Sequence, residues 1–292
     1  MKIEPECVTC LLKRIIFEAE LSTDDPLLRL KTVQNSCKAL EELYDPNNSS
    51  AEIATKVHKI AYETLGDKDP YEKIKARSNK IAEALVPRVN ELIECSDDPL
   101  RITILATIVG NLMDFGIPGA SERPEILSDV FEDIFAEDLG HDDTEEIKEI
   151  LKTAKNVVLF TDNCGEIVFD KILCRELKKF SPNIHLTLVV KGEPIISDAT
   201  IKDAMELKFD EIVDEILNTG CFAIGLDFKK MPSELGNALK KADLIICKGM
   251  ANYEAFSETD FKPVAYLLRT KCSAIAKSIG LPMNVNIVKL VK

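Results

Sequence analysis

No stretch of this chain approaches the about 18 consecutive apolar residues of a membrane-spanning helix, and its first residues carry no signal-type apolar segment. A cytoplasmic protein without membrane contact is the expectation. Gly-x-Gly-x-x-Gly is missing, as is Gly-x-x-x-x-Gly-Lys-Ser/Thr, so dinucleotide and P-loop nucleotide binding have no anchor. Histidine is scarce: His58, His141 and His185 are the three. His185 opens a predicted strand and the other two are expected at the surface, which excludes a histidine-based triad. The nine cysteines are odd in number and scattered, a pattern of reduced thiols rather than of a disulfide framework. Cys7-x-x-Cys10 stands alone on a predicted helix, without a second pair or a His at zinc-finger spacing, and packing accounts for it better than metal or redox chemistry. Positive charge is also in deficit, 37 Lys and Arg against 50 Asp and Glu. Nucleic acid and anionic membrane both need a positive surface, so neither is an expected partner. A small phosphorylated ligand stays admissible where a metal ion and one or two lysines supply charge locally. Internal repeats and low-complexity segments are absent.

What is present divides the 292 residues in two. Residues 1–155 read as a helical domain, divisible into two helical subdomains. Helical spacing marks 5–20, 27–43, 51–65, a segment opened by Asp69-Pro70-Tyr71, the strongly apolar 100–113, and 145–154. Residues 138–143 read as a surface linker. From Asn156 the texture changes to strand–loop–helix units. Strands are expected at 156–160, 184–190, 211–214, 244–247, 263–268 and 285–290, with helices after 166, at 199–207, from 233 to 242 and at 272–279. The fold class is therefore α/β: a helical N-terminal region followed by a mostly parallel, Rossmann-like three-layer sheet domain over 156–292.

In such a sheet the carboxyl ends of the strands share one edge, where ligands bind. The unusual polar residues of the second half follow those ends. Asp162, Asn163 and Glu166 follow the first strand and Asp198 the second. Thr219 and Gly220 follow the third, and Lys248, Gly249, Asn252 and Glu254 another. Asp162, Asn163 and Asp198 offer two carboxylates and an amide carbonyl, hard donors suited to an octahedral Mg²⁺ or Mn²⁺. Helix capping is the plain alternative for Asp162, Asn163 and Asp198, and an ordinary surface position for Lys248. Gly249 beside Lys248 favours close approach to a ligand. Thr219-Gly220 could give a hydroxyl and backbone N–H groups to a phosphate. Asn111 and Asp114, polar residues at the end of the most apolar helix, suggest that the helical half closes over the metal edge.

In combination and order these motifs resemble the family long called domain of unknown function 89, the damage-control phosphatases, in its archaeal-type branch with an N-terminal Cys-x-x-Cys. The resemblance is carried by Cys7-x-x-Cys10, Asp69-Pro70-Tyr71 with Lys75 and Asn79, and Gly110-Asn111-x-x-Asp114. It continues through Asp162-Asn163-Cys164-Gly165-Glu166, 192–200 and Lys248-Gly249-x-x-Asn252-Tyr253-Glu254 to Lys271-Cys272. It implies metal-dependent hydrolysis of small phosphate esters, such as sugar phosphates or damaged phosphometabolites, with Mn²⁺, Co²⁺, Ni²⁺ or Mg²⁺ on Asp162, Asn163 and Asp198. Another branch carries Arg-Thr-x-Lys; Arg269-Thr270-Lys271 lacks the spacer, and Lys271 alone is carried over. On this reading Lys248 balances phosphoryl charge in the transition state, Glu166 handles a proton, and water rather than Asp162 attacks phosphorus. Asn111, Asp114, Thr219, Gly220, Asn252, Glu254 and Lys271 contact substrate. The alternatives are an S-adenosylmethionine-dependent carboxyl methyltransferase and a non-catalytic, metal-dependent phosphometabolite binder.

Overall fold

A computed structural model describes residues 1–113 and 125–292 of the chain. The first part is helical: α1 (Pro5–Ser22), α2 (Pro26–Leu43), α3 (Ser50–Leu65), α4 (Glu72–Glu94), α5 (Pro99–Gly110) and α6 (Glu125–Ala136). Local chemistry sets several ends. The Asp25 carboxylate accepts from the Leu27 N–H at 2.9 Å, that of Asp98 from the Arg101 N–H at 3.1 Å, and Gly66 ends α3 in the left-handed region. Helices α1, α2 and α3 share a small core that includes Ile15, Leu40, Ile53, Val57 and Ala61. Beyond its first turn, helix α5 carries only apolar residues, a glycine and two threonines, and there it is buried all round.

The second part contributes β1 (Leu139–Asp142), α7 (Thr144–Leu151), β2 (Asn156–Phe160), α8 (Glu166–Phe180), β3 (His185–Val190), α9 (Ile201–Glu206) and β4 (Glu215–Asn218). It continues with α10 (Ser233–Lys241), β5 (Leu244–Lys248), α11 (Gly249–Phe256), β6 (Val264–Arg269), α12 (Ser273–Ile279) and β7 (Asn286–Val291). The strands form one sheet in the order β1-β7-β6-β5-β2-β3-β4, parallel except where β7 meets β6. Successive residues of β2 serve opposite faces, as the two-residue period requires. Val157 and Leu159 join a core with Leu105, Ile108 and Phe169, and Val158 and Phe160 join another with Leu235, Tyr253 and Phe256. The mostly parallel three-layer sheet is thus what the chain forms.

Four segments differ from expectation. Residues 138–143, expected as a surface linker, contain β1, an edge strand whose alternate residues are exposed and which pairs in parallel with β7. The strand expected at 211–214 forms at 215–218, because buried Phe209 anchors a 3-10 turn over Phe209–Glu211 and delays it. Residues 249–254, where no helix was expected, are already helical in α11. Helix α6 was not expected; its Phe131 is fully buried, stacked on Phe135 and tilted against Phe169.

Candidate active site

The strand order reverses between β2 and β5, so a crevice opens outside the carboxyl ends of that pair. Asp162 follows β2 there and Gly249 follows β5. Gly249 adopts φ +73°, and a Cβ on it would stand 1.8 Å from Asp162 Oδ2. The carboxylate therefore rests against bare backbone, a contact that only glycine allows. Asn252, one turn further along α11, donates through Nδ2 to Thr161 O at 2.9 Å and to Lys248 O at 2.7 Å, which ties the two strand ends together.

Lys248 is fully buried, with Nζ 2.5 Å from Glu166 Oε1 and 2.7 Å from Asp170 Oδ1. The two acids stand four residues apart on one face of α8. Burial pushes the Asp170 carboxyl up to about 7, against the pull of the Lys248 charge. Burial also pulls the Lys248 ammonium down, yet Asp170 and Glu166 together carry it above its ordinary value. The other Glu166 oxygen accepts from Asn111 Nδ2 at 2.6 Å and from the Asn163 N–H at 3.3 Å. Asn111 Nδ2 also reaches Asp162 Oδ2 at 3.0 Å, and Asn163 Nδ2 donates to that same oxygen at 2.8 Å.

The loop after β3 supplies the second arm. The Cys164 N–H donates to Ser197 O and the Ala199 N–H to Asp162 O, each at 2.8 Å, which lays Asn163 beside Asp198 in an antiparallel bridge. Ser197 Oγ donates to Asn163 Oδ1 at 2.6 Å. Asp198 is wholly buried and pairs at 3.2 Å with Lys191, whose Nζ also donates to Gly225 O at 2.7 Å. A cavity of about 620 Å³ opens onto this arrangement. Asp162, Asn163 and Lys271 line it from the sheet side, and Arg14, Ser50 and His58 from α1 and α3. The Lys271 ammonium donates to Asn111 O.

Two carboxylate-bearing loops meeting at the reversal of a parallel sheet, beneath a helical wall, invite comparison with known proteins. The family model of the damage-control phosphatase ARMT1-like domain matches residues 3–287. The chain belongs to that family. A damage-control phosphatase of Archaeoglobus fulgidus is 44% identical over 292 residues, covering all of both chains. Another, of Pyrococcus horikoshii, is 30% identical, covering 97% of this chain and 96% of the relative. The crystal structure of a DUF89 family protein from the same organism superposes with a TM-score of 0.89 at 29% identity, covering 100% of each chain.

Within the chain, Asp162, Asn163, Asp198, Asn111, Glu166, Lys248 and Asn252 join one polar network, while Lys271 and Glu254 line the cavity. Glu254 accepts from Ser50 Oγ, and burial raises its carboxyl. Asp114 lies outside the described residues. Thr219 and Gly220 do not line the cavity: the Thr219 hydroxyl accepts from the Gly192 N–H at 2.9 Å, and the Gly220 N–H donates to Asn218 Oδ1 at 2.8 Å. Lys248, expected either at the surface or against a phosphoryl group, is absent from the cavity lining because two acids hold it beneath. His58, expected at the surface, is buried with its Nδ1 2.7 Å from buried Glu18. The i, i+4, i+8 spacing of Ser50, Ala54 and His58 puts all three on the cavity face of α3. Lys191 and Ser197 were given no role, although Ser197 lies within the 192–200 motif and Lys191-Gly192 repeats at one strand end the Lys248-Gly249 pair of another.

Whether a divalent cation suits Asp162, Asn163 and Asp198 turns on their donor chemistry. Among the described residues no group of three or more His, Cys, Asp and Glu could hold a metal ion, and this set draws on only two such residues and an amide. Its donors are all hard oxygens. Asn252 Oδ1 lies buried beside the end of β2 with no hydrogen-bond partner. Two amide NH₂ groups converge on Asp162 Oδ2, presenting partial positive charge to it. Ser197 Oγ can accept as well as donate, so the Asn163 amide can turn its oxygen toward Asp162. The residues fit a hard divalent cation.

Proposed function

We propose that this chain is a metal-dependent phosphatase of small phosphate esters, sugar phosphates or damaged phosphometabolites. The observation that carries the reading is the Asp162 carboxylate, seated on Gly249 at the cavity wall with Asn163 and Lys271 lining the same space. The names of the two archaeal relatives support the reaction class. A divalent cation at Asp162, Asn163 and Asp198 would supply positive charge to a phosphoryl oxygen and help to activate water. Lys271 is the ammonium placed to attract the phosphate into the cavity. Lys248 acts from beneath, holding Glu166 in place through their ion pair, and Glu166 in turn braces Asn111 and the backbone of Asn163. Both Glu166 oxygens are engaged and the residue is buried, so bracing replaces the proton transfer expected of it. Asp162, 4% exposed and facing the cavity, is the carboxylate that meets the reacting centre.

The test is phosphate release from a panel of phosphomonoesters with Mn²⁺, Co²⁺, Ni²⁺ or Mg²⁺, and with chelator. Release that needs the divalent ion and is lost in Asp162→Asn is the expected result. Undiminished release after complete chelation would remove the metal from the reading, and no release from any ester would remove the phosphatase.

A further inference from the structure

Ile196 is a β-branched residue at φ +39°, a region that such side chains rarely enter. It is the second residue of the turn Ile195–Asp198, closed by the Asp198 N–H donating to Ile195 O at 3.1 Å. Turns with positive φ at that position ordinarily place glycine there. A strained backbone persists only when its surroundings over-determine it. Here they come from the helical half. Tyr62 on α3 accepts from the Ile196 N–H through Oη at 3.0 Å, its ring buried and edge-on to Phe222 at 5.3 Å. Ile195 and Ile196 pack with Tyr71 and Ile224 in one buried cluster. Seven residues before Tyr62, on the same face of α3, Thr55 Oγ1 accepts from the Ile224 N–H at 2.9 Å. The carbonyl of the next residue, Gly225, receives Lys191 Nζ, and Lys191 pairs with Asp198.

We propose that Tyr62 and Thr55 are positioning residues that set the aim of Asp198: Tyr62 through the left-handed backbone at Ile196, and Thr55 through Ile224, Gly225 and Lys191. The inference rests on the reading of Asp162, Asn163 and Asp198 as a cation site and deepens it. Helix α3 then does more than wall the cavity, since two of its hydroxyls hold the backbone from which one arm of the site projects. A purely structural role would instead have these hydroxyls tie the helical half to the sheet, with equal effect whether or not a cation is bound.

Thermal melts across a Mn²⁺ titration, with a chelator baseline, separate the two without any measurement of turnover. Tyr62→Phe keeps the ring and removes the acceptor. The Mn²⁺ concentration needed for a given rise in melting temperature above the chelator value should increase about tenfold, the scale of one buried hydrogen bond. Thr55→Val should move it in the same direction. Glycine adopts the left-handed conformation unaided, so in an Ile196→Gly background the Tyr62→Phe shift should shrink, a non-additivity expected of coupled residues. Equal lowering of the melting temperature in chelator and in Mn²⁺, with the Mn²⁺ concentration for a given rise unmoved in both hydroxyl variants, would overturn the inference while leaving the cation site standing. A wild-type protein that gains nothing from any divalent ion would overturn the cation site and this inference together. Should Tyr62→Phe fail to fold, the Thr55→Val titration decides: a higher Mn²⁺ concentration for the same rise supports the proposal and an unmoved one overturns it.

Discussion

Single atoms decide much at this site, and Gly249 is the clearest case. Gly249→Ala places a methyl group on the Asp162 carboxylate at a φ that costs an L residue about 1–2 kcal/mol. Melting in chelator should therefore fall modestly. The Mn²⁺-induced rise should vanish and phosphate release should drop about 10²-fold, as misplacement of a reacting group by about 1 Å can cause. Lys248 carries the opposite expectation. Lys248→Met leaves Glu166 and Asp170 buried without a counter-charge, and breaking such a pair costs about 3–5 kcal/mol. Urea unfolding should show a large drop in midpoint, and a wild-type midpoint would refute the assignment. Asp170 adds a pH signature. Its folded value, about 7, lies above the ordinary unfolded carboxyl value of about 4, so its contribution is complete below about pH 4 and is lost as pH rises through about 7. Asp170→Asn should abolish that downward component of the unfolding free energy measured from pH 4 to 8. Asp162 and Asn163 were legible because they directly follow an unmistakable buried strand. Of the two acids around Lys248, Glu166 was legible by the same rule and Asp170 was not, since Asp170 within a helix looks like any surface acid until the packing of α8 is known.

The elements show the same division between local and distant causes. Strands β2, β3, β5 and β6 were readable because burial on both faces writes continuous apolar runs. Strand β1 was not, because Leu139-Gly140-His141-Asp142 has only one apolar residue, and its strand character comes from a partner far along the chain. Strand β4 was placed a few residues early because its start depends on the Phe209 turn, a matter of tertiary packing. One element contact can be tested directly. A Cβ on Gly110 would stand 2.6 Å from Phe169 Cδ2 and 3.3 Å from Glu166 Cα, so glycine is what lets α5 approach α8 and bring Asn111 to Glu166. Gly110→Ala should cost about 1–3 kcal/mol by overpacking, read from urea unfolding. An unchanged unfolding curve would mean that the two helices have room to spare.

For the whole molecule, binding at the junction of two loops is coupled to folding. If the site takes Mn²⁺, the ion at 100 times its dissociation constant should stabilise the protein by about 2.7 kcal/mol through mass action. Asp162→Asn keeps the shape of the side chain and removes a negative charge from a crowded acidic centre. Its melting temperature in chelator should be unchanged or raised, while the Mn²⁺ increment disappears. A mutant that keeps the full increment would take Asp162 out of the donor set. The order of the sheet also bears on how the chain is made. Strand β1 has β7 as its neighbour, and β7 also pairs with β6, so β1 has no place to dock until residues 286–291 have left the ribosome. At translation rates of about 5–20 residues per second, the segment at 139–142 waits roughly 7–30 s after its own synthesis. During that interval the nascent helices ahead of it and the growing sheet behind it are joined by an unpaired strand, so a chaperone or a protease would find its opening there.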